Sequence, residues 1–325
     1  MKQVRLLSLT SFALFLLLTA QGVGADPSAP DALRLDELRI KGTHNSYHKR
    51  PLLALHPRHR YEHDSLFVQL EYHGVRALEL DLHLGGNGYE VYHIRFIDGR
   101  SHCRTLVACL RQIRSWSDLD RNHEPLMIWL EAKDFAGGAR MTSLRPVDAV
   151  IRGVLGDRLL VPDDLRGAHA SLHTAIMTEG WPSLAESRGK ILFMLTANDE
   201  QRAEYTSGFQ HLRGRVMFAE AKVDQYDQGW AAVAKIYRSS GFLMPEARSQ
   251  RLLVSTTTCT ADMHDLTCVL NRRWSLDQGV NILLDDYVRV TPGRLYHLDL
   301  GDEIVVGIAR GDALRSQAVA VDPGG

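Results

Sequence analysis

The chain has 325 residues, with 38 lysines and arginines against 39 aspartates and glutamates and a formal net charge of −1. So even a balance argues against a general nucleic-acid binder. The composition is that of a soluble globular protein, and beyond the first 25 residues no apolar run is long enough to cross a bilayer.

Residues 1–25 read as a secretory signal peptide. Lys2 and Arg5 give a basic start, Leu6 to Ala20 carries no charge, and Val23-Gly24-Ala25 is a small-residue cleavage signal. The apolar stretch is short for a membrane span of about 20 residues. The mature protein is expected to begin at Asp26 and to be secreted or periplasmic. Four cysteines in an exported chain predict disulfides. Cys103 lies near Cys109, and Cys259 near Cys268. The sequence does not fix their pairing, and two local loops are the simplest arrangement. No C-x-x-C spacing points to zinc.

In chain order, Leu35 to Ile40 reads as a strand that leads into Gly42-Thr43-His44-Asn45-Ser46-Tyr47-His48. Tyr61 to Tyr72 reads as a helix with Leu66, Phe67 and Leu70 near one face. Val75 to His83 alternates strictly. Leu78, Leu80 and Leu82 point one way, and Glu79, Asp81 and His83 point the other. Gly85 to Gly88 is a turn, and Tyr89 to Ile94 is a third strand containing His93. Leu106 to Trp116 is a helix. Leu126 to Asp134 is a near-continuous apolar strand ending in charge, as expected of a parallel strand covered on both faces. Helix 146–156 and strands at 190–195 and 215–220 follow. The spacing predicts a helix over 230–237, a strand at 252–256, a helix at 268–278 and an eighth strand at 280–284. A short β-like piece, 303–308, closes the chain.

Eight strands alternating with helices, with no linker between them, predict an α/β fold. The expectation is a single-domain TIM-type (β/α)8 barrel over residues 26–325. A doubly wound open sheet is the alternative, but no GxGxxG or P-loop follows a strand. In such a barrel the functional groups gather at the C-terminal strand ends. Those ends carry His44 and Asn45, Glu79 and Asp81, His93, then Glu131 and Lys133. Asn45, Glu79, Asp81 and Glu131 offer the oxygen ligands a hard cation takes, and the two histidines remain for proton transfer or charge stabilisation.

These motifs carry a resemblance. Gly42 to Tyr47, Glu79-Leu80-Asp81, Val91-Tyr92-His93 and Trp129-Leu130-Glu131-Ala132-Lys133 are similar to the catalytic half of calcium-dependent phosphoinositide-specific phospholipase C, nearest its secreted bacterial branch. The similarity extends to Trp181-Pro182-Ser183-Leu184, Arg188-Gly189-Lys190 and, weakly, Asp286-Tyr287. It implies Ca²⁺ as cofactor, with Asn45, Glu79, Asp81 and Glu131 as its ligands. It implies that His44 stabilises the pentacoordinate phosphorus and that His93 protonates the leaving diacylglycerol oxygen. Glu79 or Glu131 is then the base for the inositol 2-hydroxyl. Lys133, Arg95 and Tyr287 are candidate substrate contacts. The partners expected are a phosphoinositide lipid and, transiently, a membrane surface, with no nucleic acid and a monomeric state.

Metal-independent bacterial relatives have aspartate after the first histidine and an arginine in the metal's place. Asn45 and the full carboxylate set place this chain with the metal-dependent branch, while Arg95 keeps a phosphate contact open. No separate lipid-binding module is apparent, so membrane contact falls to the barrel rim, with Tyr47, Leu52, Leu53, Phe96 and Ile97 as candidates that read equally well as ordinary core. Two rival readings stand beside this one. A glycerophosphodiester phosphodiesterase on the same barrel normally opens with His-Arg-Gly, which is missing. A non-catalytic phosphoinositide-binding protein does not need two proton-transfer groups.

Overall fold

A computed structural model of the chain describes residues 30–86, 88–133, 140–301 and 305–307. The signal-peptide stretch lies outside the described residues. Eight parallel strands form the barrel: β1 (Leu38–Thr43), β2 (Ala77–Gly85), β4 (Leu126–Ala132), β5 (Ile191–Thr196), β6 (Met217–Ala219), β7 (Val233–Lys235), β8 (Leu253–Cys259) and β9 (Ile282–Asp285). Each pairs with the next around the ring, and β9 returns to β1. The last gap, between β6 and β7, closes through a single parallel bridge from Glu220 to Val233. Two short strands lie off the ring. β3 (Gly88–Val91) pairs antiparallel with β2, and β10 (Val305–Gly307) pairs antiparallel with β1.

The expected eight-strand barrel is therefore present, but its membership differs at two places. The segment read as a third strand is β3, a hairpin partner of β2. Only two residues separate Gly85 from Gly88, enough for a hairpin turn. A parallel neighbour needs a crossover of a dozen or more residues. The ring place it vacates is taken by β7, inside the stretch that reads as a helix. Alanine at 231, 232 and 234 raises helix propensity there. Yet Trp230 to Ala234 is buried all round, which is the environment of a parallel strand covered on both faces.

Side-chain alternation sets the layers. Leu78, Leu80 and Leu82 pack into one continuous core with Leu66 and Leu70 of helix Leu66–Tyr72 and Leu106, Leu110 and Ile113 of helix Leu106–Ser117. Burying each such side chain contributes roughly 1.5–3 kcal/mol relative to exposure. Trp129, Trp181 and Trp230 are fully buried. Gly42 lets β1 lie close to its neighbours, since a Cβ there would stand 2.7 Å from both Ala77 Cβ and Leu284 Cδ2. Disulfides join Cys103 to Cys109 and Cys259 to Cys268, so both are local loops.

Candidate active site

Strand register brings the first site groups together. Thr43 on β1 pairs with Asp285 on β9, so the next residues, His44 and Asp286, leave the barrel side by side. Asp81 on β2 pairs with Glu131 on β4. Parallel partners share a face, so the carboxylates at 79, 81 and 131 all turn to the barrel mouth.

The turn after β1 is tied down on every side. Asn45 takes φ +46°, a left-handed conformation asparagine tolerates better than most residues. The Ser46 amide donates to the Glu79 carbonyl at 2.9 Å, and Ser46 Oγ accepts from the Glu79 amide at 2.8 Å. Asn45 Oδ1 accepts from the Tyr47 hydroxyl at 3.1 Å. Tyr47 is wholly buried below the site. Of the two places the sequence left open for it, rim and core, Tyr47 takes the core.

The imidazole of His44 is fixed at Nδ1 by Asp286 Oδ1, 2.8 Å away. Its Nε2 lies 3.8 Å from Glu79 Oε2. Burial works against a charge on this ring, but Asp286, Glu79 and Asp81 outweigh it and raise the pKa to about 9. Without a cation in the site, these carboxylates favour the charged form of His44.

His93 does not end a barrel strand. It follows β3 in the loop that leads to the first disulfide. Its Nδ1 meets Asp98 Oδ2 at 2.8 Å, and a quarter of the side chain stays accessible. Asp98 is fully buried and also accepts from His48 Nε2 at 2.8 Å. Burial pushes the Asp98 carboxyl up, but the hydrogen bonds from His48 and His93 hold it well below the usual carboxylate range. An ionised Asp98 accepts from His93 Nδ1–H and leaves Nε2 for chemistry.

Two lysines stand among the carboxylates. Lys133 Nζ is 2.6 Å from Glu131 Oε1 and 3.3 Å from Asp81 Oδ2. Lys235 Nζ, from β7, is 2.6 Å from Glu79 Oε1 and 4.9 Å above the Trp129 ring. Burial raises the Glu79 pKa, but Lys235 and His44 overcome it and bring it down to about 2. Asp81 goes the other way. Burial, with Glu131 and Glu79 nearby, lifts it to about 6 against the pull of Lys133 and His93. Both Asp81 carboxylate oxygens are buried without a hydrogen bond. Among the described residues, these carboxylates do not form a group with all donor atoms within 4.8 Å; each is held by a lysine instead. Buried hard oxygens, one carboxylate with open lone pairs and ammonium groups at the points needing positive charge fit a site for a hard divalent cation.

The remaining candidates have other partners. Arg95 pairs with Glu90 at 3.5 Å and lines a cavity of about 730 Å³ with Leu52, Leu53 and Phe96. Tyr287 is buried in a small cluster with Tyr61 and Tyr296, under the Arg294 guanidinium. Sequence reasoning missed the roles of Asp98, Asp286 and Lys235. Asp286 was legible as an acid just past a strand end. Asp98 sits in a loop and Lys235 in a helix-like run, and neither position announces its partner.

A model of the calcium-dependent phosphoinositide phospholipase C family matches residues 83–289. The chain belongs to this family. It is an enzyme of the phosphoinositide phospholipase C type, and its cofactor is calcium. The match takes in His93, Asp98, Glu131, Lys133 and Asp286; His44, Asn45, Glu79 and Asp81 precede it. The fold is similar to that of the calcium-dependent phosphoinositol-specific phospholipase C of a Pseudomonas species, with a TM-score of 0.62 and 15% identity over 86% of this chain and 97% of that one. The same Pseudomonas protein solved with myoinositol gives 0.61 and 16%, over 87% and 97%. The Ca²⁺-dependent enzyme of Streptomyces antibioticus gives 0.60 and 22%, over 79% and 96%. A comparison with curated protein sequences gave no match.

Proposed function

We propose that the enzyme cleaves phosphatidylinositol-type lipids by in-line attack of the inositol 2-hydroxyl. The observation that carries this reading is a pair of imidazoles, His44 and His93, each anchored through Nδ1 on a buried aspartate and each coupled electrostatically to Asp81. Asn45, Glu79, Asp81 and Glu131 would hold calcium. Bound there, the ion supplies a lowered pKa for a coordinated hydroxyl and positive charge against the phosphate. Glu79, ionised at neutral pH, takes the proton of the 2-hydroxyl. The hydroxyl oxygen bonds to phosphorus as the bond to the diacylglycerol oxygen breaks. His93 Nε2 gives its proton to that leaving oxygen. His44, held by Asp286, stabilises charge on the phosphoryl oxygens. The products are diacylglycerol and a cyclic inositol phosphate, which water can open. Lys133, now paired with Glu131 and Asp81, would take up substrate phosphate.

Membrane contact is assigned to the loops beside His93. Leu52 is 95% and Phe96 96% exposed, with Leu53, Leu55 and Ile97 also outward. Phe96 has φ +68°. An exposed aromatic in a strained conformation incurs two costs, which points to an apolar surface it is built to meet. Lys49, Arg50, Arg95, Arg100 and Arg104 flank these residues in the sequence and favour an anionic bilayer. Two disulfides favour an exported protein, in keeping with residues 1–25 as a leader, and the enzyme is taken to act as a monomer. Turnover of phosphatidylinositol vesicles, with chelator and after calcium is restored, tests the reading. Full turnover in excess chelator defeats it.

A further inference from the structure

A second group of ligands stands outside the carboxylate cluster. His59, His93 and Asp98 present donor atoms that all lie within 4.8 Å of one another, the only such group of three among the described residues. Asp98 has two imidazoles on hydrogen bonds, those of His48 and His93. The third, His59, is different. Its Nε2 is 3.8 Å from Asp98 Oδ2, beyond hydrogen-bond reach, and its Nδ1 is buried with no partner. The residue is only 6% exposed. A buried imidazole that faces a carboxylate without bonding to it forgoes a hydrogen bond. An ion that both groups ligate would recover it.

We propose that His59, His93 and Asp98 bind a zinc ion, and that zinc bound there switches the enzyme off. The two metals sort by ligand chemistry. Calcium takes an all-oxygen shell, whereas two imidazoles and one carboxylate are ligands for zinc. Three protein ligands leave a fourth position for water. Zinc takes the place of the proton on His93 Nδ1, which goes to solvent. His93 Nε2 then keeps one hydrogen and cannot reach the doubly protonated form, because the other nitrogen holds the metal. The leaving oxygen thereby loses its acid. This inhibitory step rests on His93 as the leaving-group acid, as proposed above; zinc binding itself does not.

The test uses the full, calcium-loaded protein and zinc alone as the probe. Zinc affinity is measured by competition with a colorimetric zinc chelator, and inhibition by titrating zinc into a turnover assay. His59 is absent from the proposed reaction, so His59→Gln is expected to leave zinc-free turnover unchanged. It should weaken zinc binding at least about tenfold, since even outer-shell changes cost that much, and shift zinc inhibition by the same factor. X-ray absorption on the zinc-loaded wild type should report imidazole nitrogens in the shell whether or not the variant folds. An all-oxygen shell, a His59→Gln variant that binds zinc as tightly as wild type, or His59-dependent binding with unaltered turnover each overturns the proposal. Failure of the acid assignment appears elsewhere, as full zinc-free turnover in His93→Ala.

Discussion

His44 Nδ1 and Asp286 Oδ1 lie 2.8 Å apart because Thr43 and Asp285, the residues before them, are register partners on adjacent parallel strands. The pair is thus fixed by the barrel itself, and its consequence is electrostatic. In the calcium-free protein the imidazole should titrate near pH 9. The folded pKa is raised above the unfolded value of about 6.5. The pair therefore stabilises the fold fully below that value and ceases to do so as pH rises through 9. Asp286→Asn should bring the His44 resonance in an NMR titration back toward the ordinary histidine range. An unmoved titration would rule out Asp286 as the cause.

His93→Ala should lower turnover of a lipid substrate by about 10²–10⁴, the usual contribution of a general acid. The loss should shrink on a substrate with an acidic leaving group, which departs without a proton. His44→Ala should harm both substrates alike, since phosphoryl charge develops in either case. Equal losses for His93→Ala on both substrates would remove it as the leaving-group acid.

Lys235 and Glu79 form an ion pair with side chains 7% and 3% exposed. Removing one partner of such a pair costs about 3–5 kcal/mol. Lys235→Met should melt well below wild type in chelator. Added calcium should raise its melting temperature more than it raises that of the wild type, because a second cation then balances Glu79. Equal calcium shifts in the two proteins would show that Glu79 does not meet the metal.

Leu52→Glu and Phe96→Glu should reduce turnover on vesicles and leave turnover of a soluble monomeric substrate intact. Both side chains are almost wholly exposed, so neither change opens the core. Parallel losses on both substrates would place these residues in the reaction and not at the membrane.

What the sequence made legible followed local periodicity. The alternation of β2 exposes Glu79 and Asp81 without any knowledge of neighbours, and the apolar run before Glu131 marks a buried parallel strand. What stayed hidden depends on partners far along the chain. Lys235 meets Glu79 across 156 positions, and His44 meets Asp286 across 242. No local pattern encodes those distances. The helix expected over 230–237 failed because propensity is a weak preference that burial overrides. Tyr47 stayed open between rim and core because a turn residue can point outward or fold inward beneath its own loop.

The bridge between Glu220 and Val233 carries a mechanical consequence. One pair closes the cylinder there, between two strands of three residues each, whereas β2 and β4 share six pairs. A stave joined so thinly opens at lower energy than its neighbours. Amide hydrogens on β7 should exchange with deuterium sooner than those on β2 and β4. Lys235 ends that stave, so each such opening draws an ammonium away from Glu79. The ease with which the barrel breathes at this seam and the ease with which Glu79 parts from its lysine are then one quantity.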